Sequence, residues 1–157
     1  MTGVAHKGST IQESNKSGHV SYVERYQSGT RCTSYDEFGN CASTEPVYST
    51  ANHTTGAKIT GTVNSTSTVY VNGQPIASVS SPTQEQWVAD PSPSPKLGGS
   101  IISISPGTSG SGSGQVSTGS STVFVGGKAV SSITKNVTTH LSTTTPITSG
   151  SSNVFVN

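Results

Sequence analysis

The chain has 157 residues, of which 29% are hydrophobic and only 10% are charged, and its formal net charge at pH 7 is +1. Disordered chains with so few apolar residues usually have a high net charge, so this Ser-, Thr- and Gly-rich composition favours many short strands around a thin core. The near-neutral charge argues against nucleic acid or an anionic membrane as a partner, and no apolar run approaches the roughly 20 residues of a membrane-spanning helix.

The first residues lack the apolar stretch of a secretory signal peptide, which predicts synthesis in a cytosol. Residues 12–52 follow as an inserted loop or small subdomain that holds both cysteines, four of the five tyrosines and five of the seven acidic residues. Cys32 and Cys41 could form a disulfide, bind a metal or do neither. A permanent disulfide is disfavoured in a cytosol, although an assembly released from the cell can oxidise.

Three later segments repeat one another, which is the strongest signal in the chain. Residues 67–77 align with residues 121–131, and residues 152–157 begin a third copy. Each copy opens with a short V-x-V strand, and the first two continue through a Gly or Asn turn into a second strand, as in a hairpin.

Alternation within the copies predicts a sheet with one buried face. Val69 and Val71 are expected to face one way and Tyr70 the other, and the valines around Phe124 and Phe155 should follow the same pattern. A first segment around Val4 could pair with the incomplete third copy. A pseudo-threefold body would then explain all three repeats.

Residues 82–113 are rich in Pro, Ser and Gly and are predicted to form a loop. Within them, residues 99–105 alternate enough to form one strand. No segment has helical periodicity, so the fold class is all-β.

These repeats resemble the PAAR family, the tips of spikes in contractile phage tails and type VI secretion systems. The family pattern is a strand of the type T-V-x-V-N-G, a turn, and a strand that begins P-A-A-R. Here Thr-Val-Tyr-Val-Asn-Gly at 68–73 precedes Gln-Pro-Ile-Ala, and Thr-Val-Phe-Val-Gly-Gly at 122–127 precedes Lys-Ala-Val-Ser. Gly-Val-Ala-His at 3–6 would take the opening P-A-A-R position.

The clear match covers a little over half of the chain, roughly residues 1–10, 53–81 and 114–157. No copy retains the Arg of P-A-A-R, and the segments 12–52 and 82–113 are longer than the family needs. These departures favour a divergent phage version over a type VI secretion tip, which remains the alternative within this class.

The resemblance implies that residues 1–157 form a single PAAR-like domain, a conical pseudo-threefold tip of short antiparallel hairpins. Its base would cap a trimeric β-helical spike, one tip per trimer, and cover the unpaired backbone groups at the end of that spike. The implied role is structural: a virion tail component, made in the host bacterial cytoplasm, that pierces the host cell envelope without stable membrane insertion.

The family commonly carries a structural metal near its vertex, held by His and Cys ligands. The resemblance therefore implies one metal ion, zinc or alternatively iron, which would replace part of a missing core. The candidate ligands are His53 and His140, which precede V-x-V strands at matching positions, with His19, Cys32 or Cys41 from the insertion. Solvated histidines are the simpler interpretation of the same positions.

Enzyme chemistry finds no support in the sequence. There is no G-x-S-x-G elbow, and the glycine runs lack the Gly-Lys-Ser/Thr end of a P-loop. A metal-dependent hydrolase would need an open coordination position beside a carboxylate. The main alternative to a piercing tip is a receptor- or glycan-binding β-rich tip, which exposed aromatic residues clustered in a groove would favour.

Overall fold

The computed structural model describes all 157 residues and consists of β-strands, turns and irregular segments, which confirms the all-β prediction. It contains no helix long and apolar enough to pass through a lipid bilayer. The strands are β1 (Thr2–Gly3), β2 (Ser14–Tyr35), β3 (Cys41–Val63), β4 (Tyr70–Val71), β5 (Gln74–Pro75), β6 (Thr83–Asp90), β7 (Ser100–Ser105), β8 (Ser109–Gly112), β9 (Gln115–Val116), β10 (Phe124–Val125), β11 (Lys128–Ala129), β12 (Asn136–Thr138), β13 (Thr144–Pro146) and β14 (Phe155–Val156).

The strands form five sheets and the chain forms two compact units. Three sheets have two strands (β1-β14, β4-β5 and β10-β11), one has the order β13-β12-β9, and one has the order β7-β2-β3-β6-β8. The first unit comprises Met1–Ser17, Ala57–Val88 and Ser109–Asn157, and the second comprises Gly18–Gly56 and Ala89–Thr108.

The three two-stranded sheets of the first unit correspond to the three sequence repeats. β4 and β5 turn through Asn72 and Gly73, and β10 and β11 turn through Gly126 and Gly127, all four with positive φ. Positive φ at both central positions suits the tight turns of two-residue hairpins. β14 has no following strand and pairs antiparallel with β1 instead. The prediction that the first segment completes the last copy is confirmed.

A closed ring of backbone hydrogen bonds joins the segments that follow the three hairpins. The amide of Ala5 donates to the carbonyl of Ser131 at 3.0 Å, Ser131 donates to Ala77 at 2.9 Å, and Ala77 donates to Ala5 at 2.9 Å. All three residues are completely buried. Because each segment donates one hydrogen bond and accepts one, the ring has threefold character although its members are far apart in sequence.

The three ring residues are two alanines and a serine. We infer that larger side chains do not fit here, because three backbones approach one another closely. We expect Ala77→Leu to lower the free energy of unfolding by about 1–3 kcal/mol, because a packed interior responds to added methylenes with strain. Ala42→Leu, the same change at an exposed position of β3, should stay within about 0.5 kcal/mol of the wild type. Urea denaturation measures both, and equal effects would contradict the inferred crowding at the ring.

A small apolar core lies against this arrangement, with two contributions from each repeat. The valine at the end of each V-x-V strand packs with the aliphatic residues that come directly before the ring residues in the chain. The members are Val71, Val125 and Val156 from the first set and Val4, Ile76 and Val130 from the second.

The predicted alternation in the V-x-V strands is wrong for the first valine of each copy. Val69, Val123 and Val154 are 45%, 38% and 40% exposed, and the strands begin only at the following aromatic residue. The carbonyl of each of these valines accepts a hydrogen bond from the residue that directly follows the opposite strand, so the backbone is fixed while the side chain stays outside the core.

Most of residues 12–52, expected as an inserted loop or subdomain, form the long hairpin of β2 and β3. Within the second unit, β7 pairs with β2 from Ser21 to Arg25. No residue from 25 to 54 is buried. The outer part of the hairpin therefore has no core of its own.

The segment 82–113 contains three strands, two more than its composition suggested. In β6, buried and exposed residues alternate over the full length. In β8, a Cβ on Gly110 would come within 2.5 Å of the Trp87 ring, and one on Gly112 within 2.3 Å of the His140 ring. The glycines that resemble a flexible linker thus make room for two large rings against a strand.

Candidate functional site

The two cysteines among the predicted metal ligands are bonded to each other. Cys32 and Cys41 form a disulfide with a Cα–Cα distance of 5.7 Å. Of the alternatives that the sequence left open, the structure has the disulfide. Neither sulfur is then available as a thiolate, which is the form that binds zinc.

His53 lies in β3 and contacts a buried carboxylate. Its Nε2 is 2.8 Å from Oε2 of Glu24, which β2 places on the inner side of the second unit. The ring of Tyr22 lies beside the imidazole, with 5.2 Å between centroids. His53 is therefore a partner of a fixed anion and not a solvated loop residue.

Three backbone amides also donate hydrogen bonds to the Glu24 carboxylate, one to Oε2 and two to Oε1. Lys96, Leu97 and Gly99 donate to it at 2.9, 2.8 and 2.9 Å. Gly98, with φ of +76°, allows this segment to turn its N–H groups toward one point.

The pKa of Glu24 reflects two opposed effects. Burial alone would raise it, but the hydrogen bonds from the three backbone amides and from His53 outweigh burial and lower the pKa from 4.5 to about 2. The lowered pKa means that Glu24 stays ionised in the folded chain at pH values well above 2.

A second Glu–His pair lies in the first unit. Glu85 of β6 is buried and accepts hydrogen bonds from the Thr83 hydroxyl at 2.5 Å and from the backbone amide of His140 at 3.2 and 3.3 Å. Nδ1 of His140 is 3.3 Å from the same carboxylate. Nε2 of His140 is buried and has no hydrogen-bond partner.

The predicted ligand set does not converge. His19 is half-buried in β2, His53 and His140 each contact their own glutamate, and the cysteines are oxidised. No three His, Cys, Asp or Glu side chains come together as a possible metal site. The residues in this arrangement do not fit a tetrahedral His and Cys zinc centre, and whether the chain takes up a metal stays a prediction.

Sequence reasoning missed Glu24 and Glu85, the two carboxylates around which these contacts form. The alternation of residues along β2 and β6 carries a signal that could have identified both glutamates. Val20, Tyr22 and Glu24 are buried on one face of β2, and Thr83, Glu85 and Trp87 are buried on one face of β6. A glutamate in phase with apolar neighbours indicates a buried charge that needs partners.

An exposed apolar surface is distributed over the three hairpins of the first unit. We call it the outer apolar set. Its members are the first two residues of each V-x-V strand: Val69, Tyr70, Val123, Phe124, Val154 and Phe155. The aromatic members are 62%, 57% and 51% exposed in chain order. The exposed apolar positions are therefore the same two in all three copies of the repeat.

A polar groove of about 540 Å³ lies between the first two hairpins of the same unit. Most of its lining carries hydroxyl groups, and no aromatic residue borders it. Its lining includes Ser67, Thr68, Ser80, Ser81 and Lys128.

No protein-family model, curated protein or solved structure matches this chain. The inference of function therefore depends on the chain's own geometry.

Proposed function

We propose that this chain is the structural piercing tip of a contractile injection machine, a phage tail in the first instance, and that it caps a trimeric β-helical spike. One chain would cap one trimer. The proposed role is to close the spike and to concentrate the contraction force on a small area of the host cell envelope. No chemical step is part of it.

The observation that carries the proposal is the hydrogen-bonded ring of Ala5, Ala77 and Ser131. Repetition around an axis lets a single chain close on itself and protect its strand edges. In a chain that binds a threefold partner it has a further use, because each repeat can then meet one subunit of the partner. The two-stranded sheets next to the three ring residues also match one another, so each repeat could present a similar hairpin to one subunit.

The outer apolar set supplies the contact chemistry of the proposed interface. Aromatic residues are the side chains most often found as energetic centres of protein interfaces. Tyr70, Phe124 and Phe155 offer one such residue to each subunit of a trimer. Their solvent exposure in the isolated chain is what a free cap should have.

A binding experiment tests the proposal directly. The chain is mixed with the purified trimeric spike of the particle from which it comes, and the complex is weighed by native mass spectrometry. One chain per three spike subunits is expected. The proposal would be overturned if the chain were absent from purified particles. It would also be overturned if the mixture contained only the free chain and the free spike trimer. Elemental analysis of the same complex tests the zinc prediction separately.

A glycan-binding tip is the second candidate, and the hydroxyl-lined groove is the observation that favours it. Glycan sites usually present an aromatic platform as well, and the exposed Tyr35 and Phe38 belong to the second unit, not to this groove. Saturable glycan binding by the isolated chain, together with no affinity for the spike, would favour this candidate over the cap.

A further inference from the structure

The outer part of the β2–β3 hairpin, residues 26–50, is an exposed two-stranded ribbon that we call the arm. β7 pairs with β2 only as far as Arg25, and every arm residue is exposed or partly exposed. Isolated two-stranded hairpins are marginally stable in water because they bury too little apolar surface. The order of the arm therefore has to come from contacts within it.

The side-chain hydrogen bonds and the ion pair of the arm are exposed to solvent. Arg31 and Glu45 form an ion pair, and the hydroxyl groups of Thr33 and Ser43 lie 3.0 Å apart. At the tip, the Asp36 carboxylate accepts hydrogen bonds from the amides of Phe38 and Asn40, both at 2.9 Å. Exposed ion pairs and hydrogen bonds of this kind contribute little to stability because water competes for both partners.

The covalent link is the Cys32–Cys41 disulfide, which joins the two strands of the arm just below its tip. Its sequence separation of 9 closes a short loop. Closing a loop of this length favours the ordered arm over the frayed arm by roughly 100-fold, because the open chain loses conformational freedom.

We propose that this disulfide is a redox device that sets whether the arm is ordered. In a reducing cytosol the two thiols are free and the arm frays, and in an oxidising exterior the bond forms and the arm becomes a defined projection. This inference does not depend on the piercing role.

The chemistry is thiol–disulfide exchange with a small-molecule disulfide such as oxidised glutathione. One protein thiolate attacks the reagent and releases one reduced thiol. The second protein thiolate then attacks the mixed disulfide and releases the other. Two protein thiols are oxidised, one reagent disulfide is reduced to two thiols, and the two protons pass to the departing thiolates.

Both sulfurs are placed where such a reagent can reach them. Cys41 is exposed and Cys32 is partly exposed. The buried Glu24–His53 pair lies outside the arm, and the ring and its core belong to the first unit. Reduction should therefore loosen the arm and leave the rest of the fold unchanged.

Hydrogen exchange of the full chain, oxidised or reduced with dithiothreitol, tests the inference. Reduction should speed amide exchange across residues 26–50 by 10-fold or more, with no change at Ala5, Ala77 and Ser131. The variant Cys32→Ser/Cys41→Ser should match the reduced wild type with or without reductant, and trypsin should cut both at Arg31 faster than the oxidised chain.

Two results would overturn the inference that the disulfide is a redox device. Equal exchange in the arm before and after reduction would show that the disulfide does not set its order. A disulfide that persists in glutathione buffers of cytosolic composition, as measured by alkylation of free thiols and mass spectrometry, would show that the bond does not respond to the change of compartment.

Discussion

Replacing Tyr70, Phe124 and Phe155 together by glutamate should abolish detectable binding of the chain to its spike trimer. Each position is expected to weaken binding by roughly 30-fold, since a buried aromatic residue at the centre of an interface contributes about 2 kcal/mol or more. Folding should not change, because all three side chains are more than half exposed in the free chain. Binding is measured by surface plasmon resonance, and folding by thermal denaturation.

A matched control uses exposed aromatic residues of the arm. Tyr35→Glu and Phe38→Glu place the same charge at side chains that are 68% and 81% exposed. These variants should bind the spike as the wild type does. If the arm variants abolished binding and the hairpin variants did not, the docking surface would have to be moved to the second unit.

Replacing Glu24 by glutamine should lower the thermal midpoint by roughly 5 °C or more, an effect expected when a buried hydrogen-bonded network is broken. The amide keeps one acceptor oxygen, but its NH2 group would face the N–H groups that now surround the carboxylate. Glu37→Gln, the same change at an exposed position of the arm tip, should leave the midpoint within error.

The same variant should alter how stability depends on pH. The pKa of Glu24 is lowered from 4.5 to about 2 in the folded chain, so its contribution is fully present above pH 4.5 and is lost as the pH falls toward 2. Urea midpoints of the wild type should decline through this window more steeply than those of Glu24→Gln. Parallel pH profiles for the two proteins would contradict the assignment.

The repeats could be predicted from sequence because each copy carries its own local signals. Turn residues with positive φ, such as Asn72 and Gly73, and valines at the core position of each strand act within a few residues. The pairing of the first segment with the last copy was inferred from what each lacked, and the structure contains it. The hydrogen-bonded ring could not be predicted, since it depends on three segments that meet only after folding.

The candidate site was predicted less well because its contacts are non-local. His53 and His140 are predicted as ligands of a shared metal, whereas the structure places each of them beside its own carboxylate, Glu24 or Glu85. Each carboxylate is 29 or 55 positions away from its histidine, so the residues next to the histidine do not indicate the contact. The strand β8 was missed for a related reason: its glycines are explained only by the rings that lie across them.

The cyclic arrangement at the centre of the first unit has a mechanical consequence. Every segment in the cycle takes part in two of its three N–H···O=C bonds, one as donor and one as acceptor. Pulling any one segment out of the cycle must therefore break two bonds at once, and within the cycle no segment is held by fewer bonds than the others.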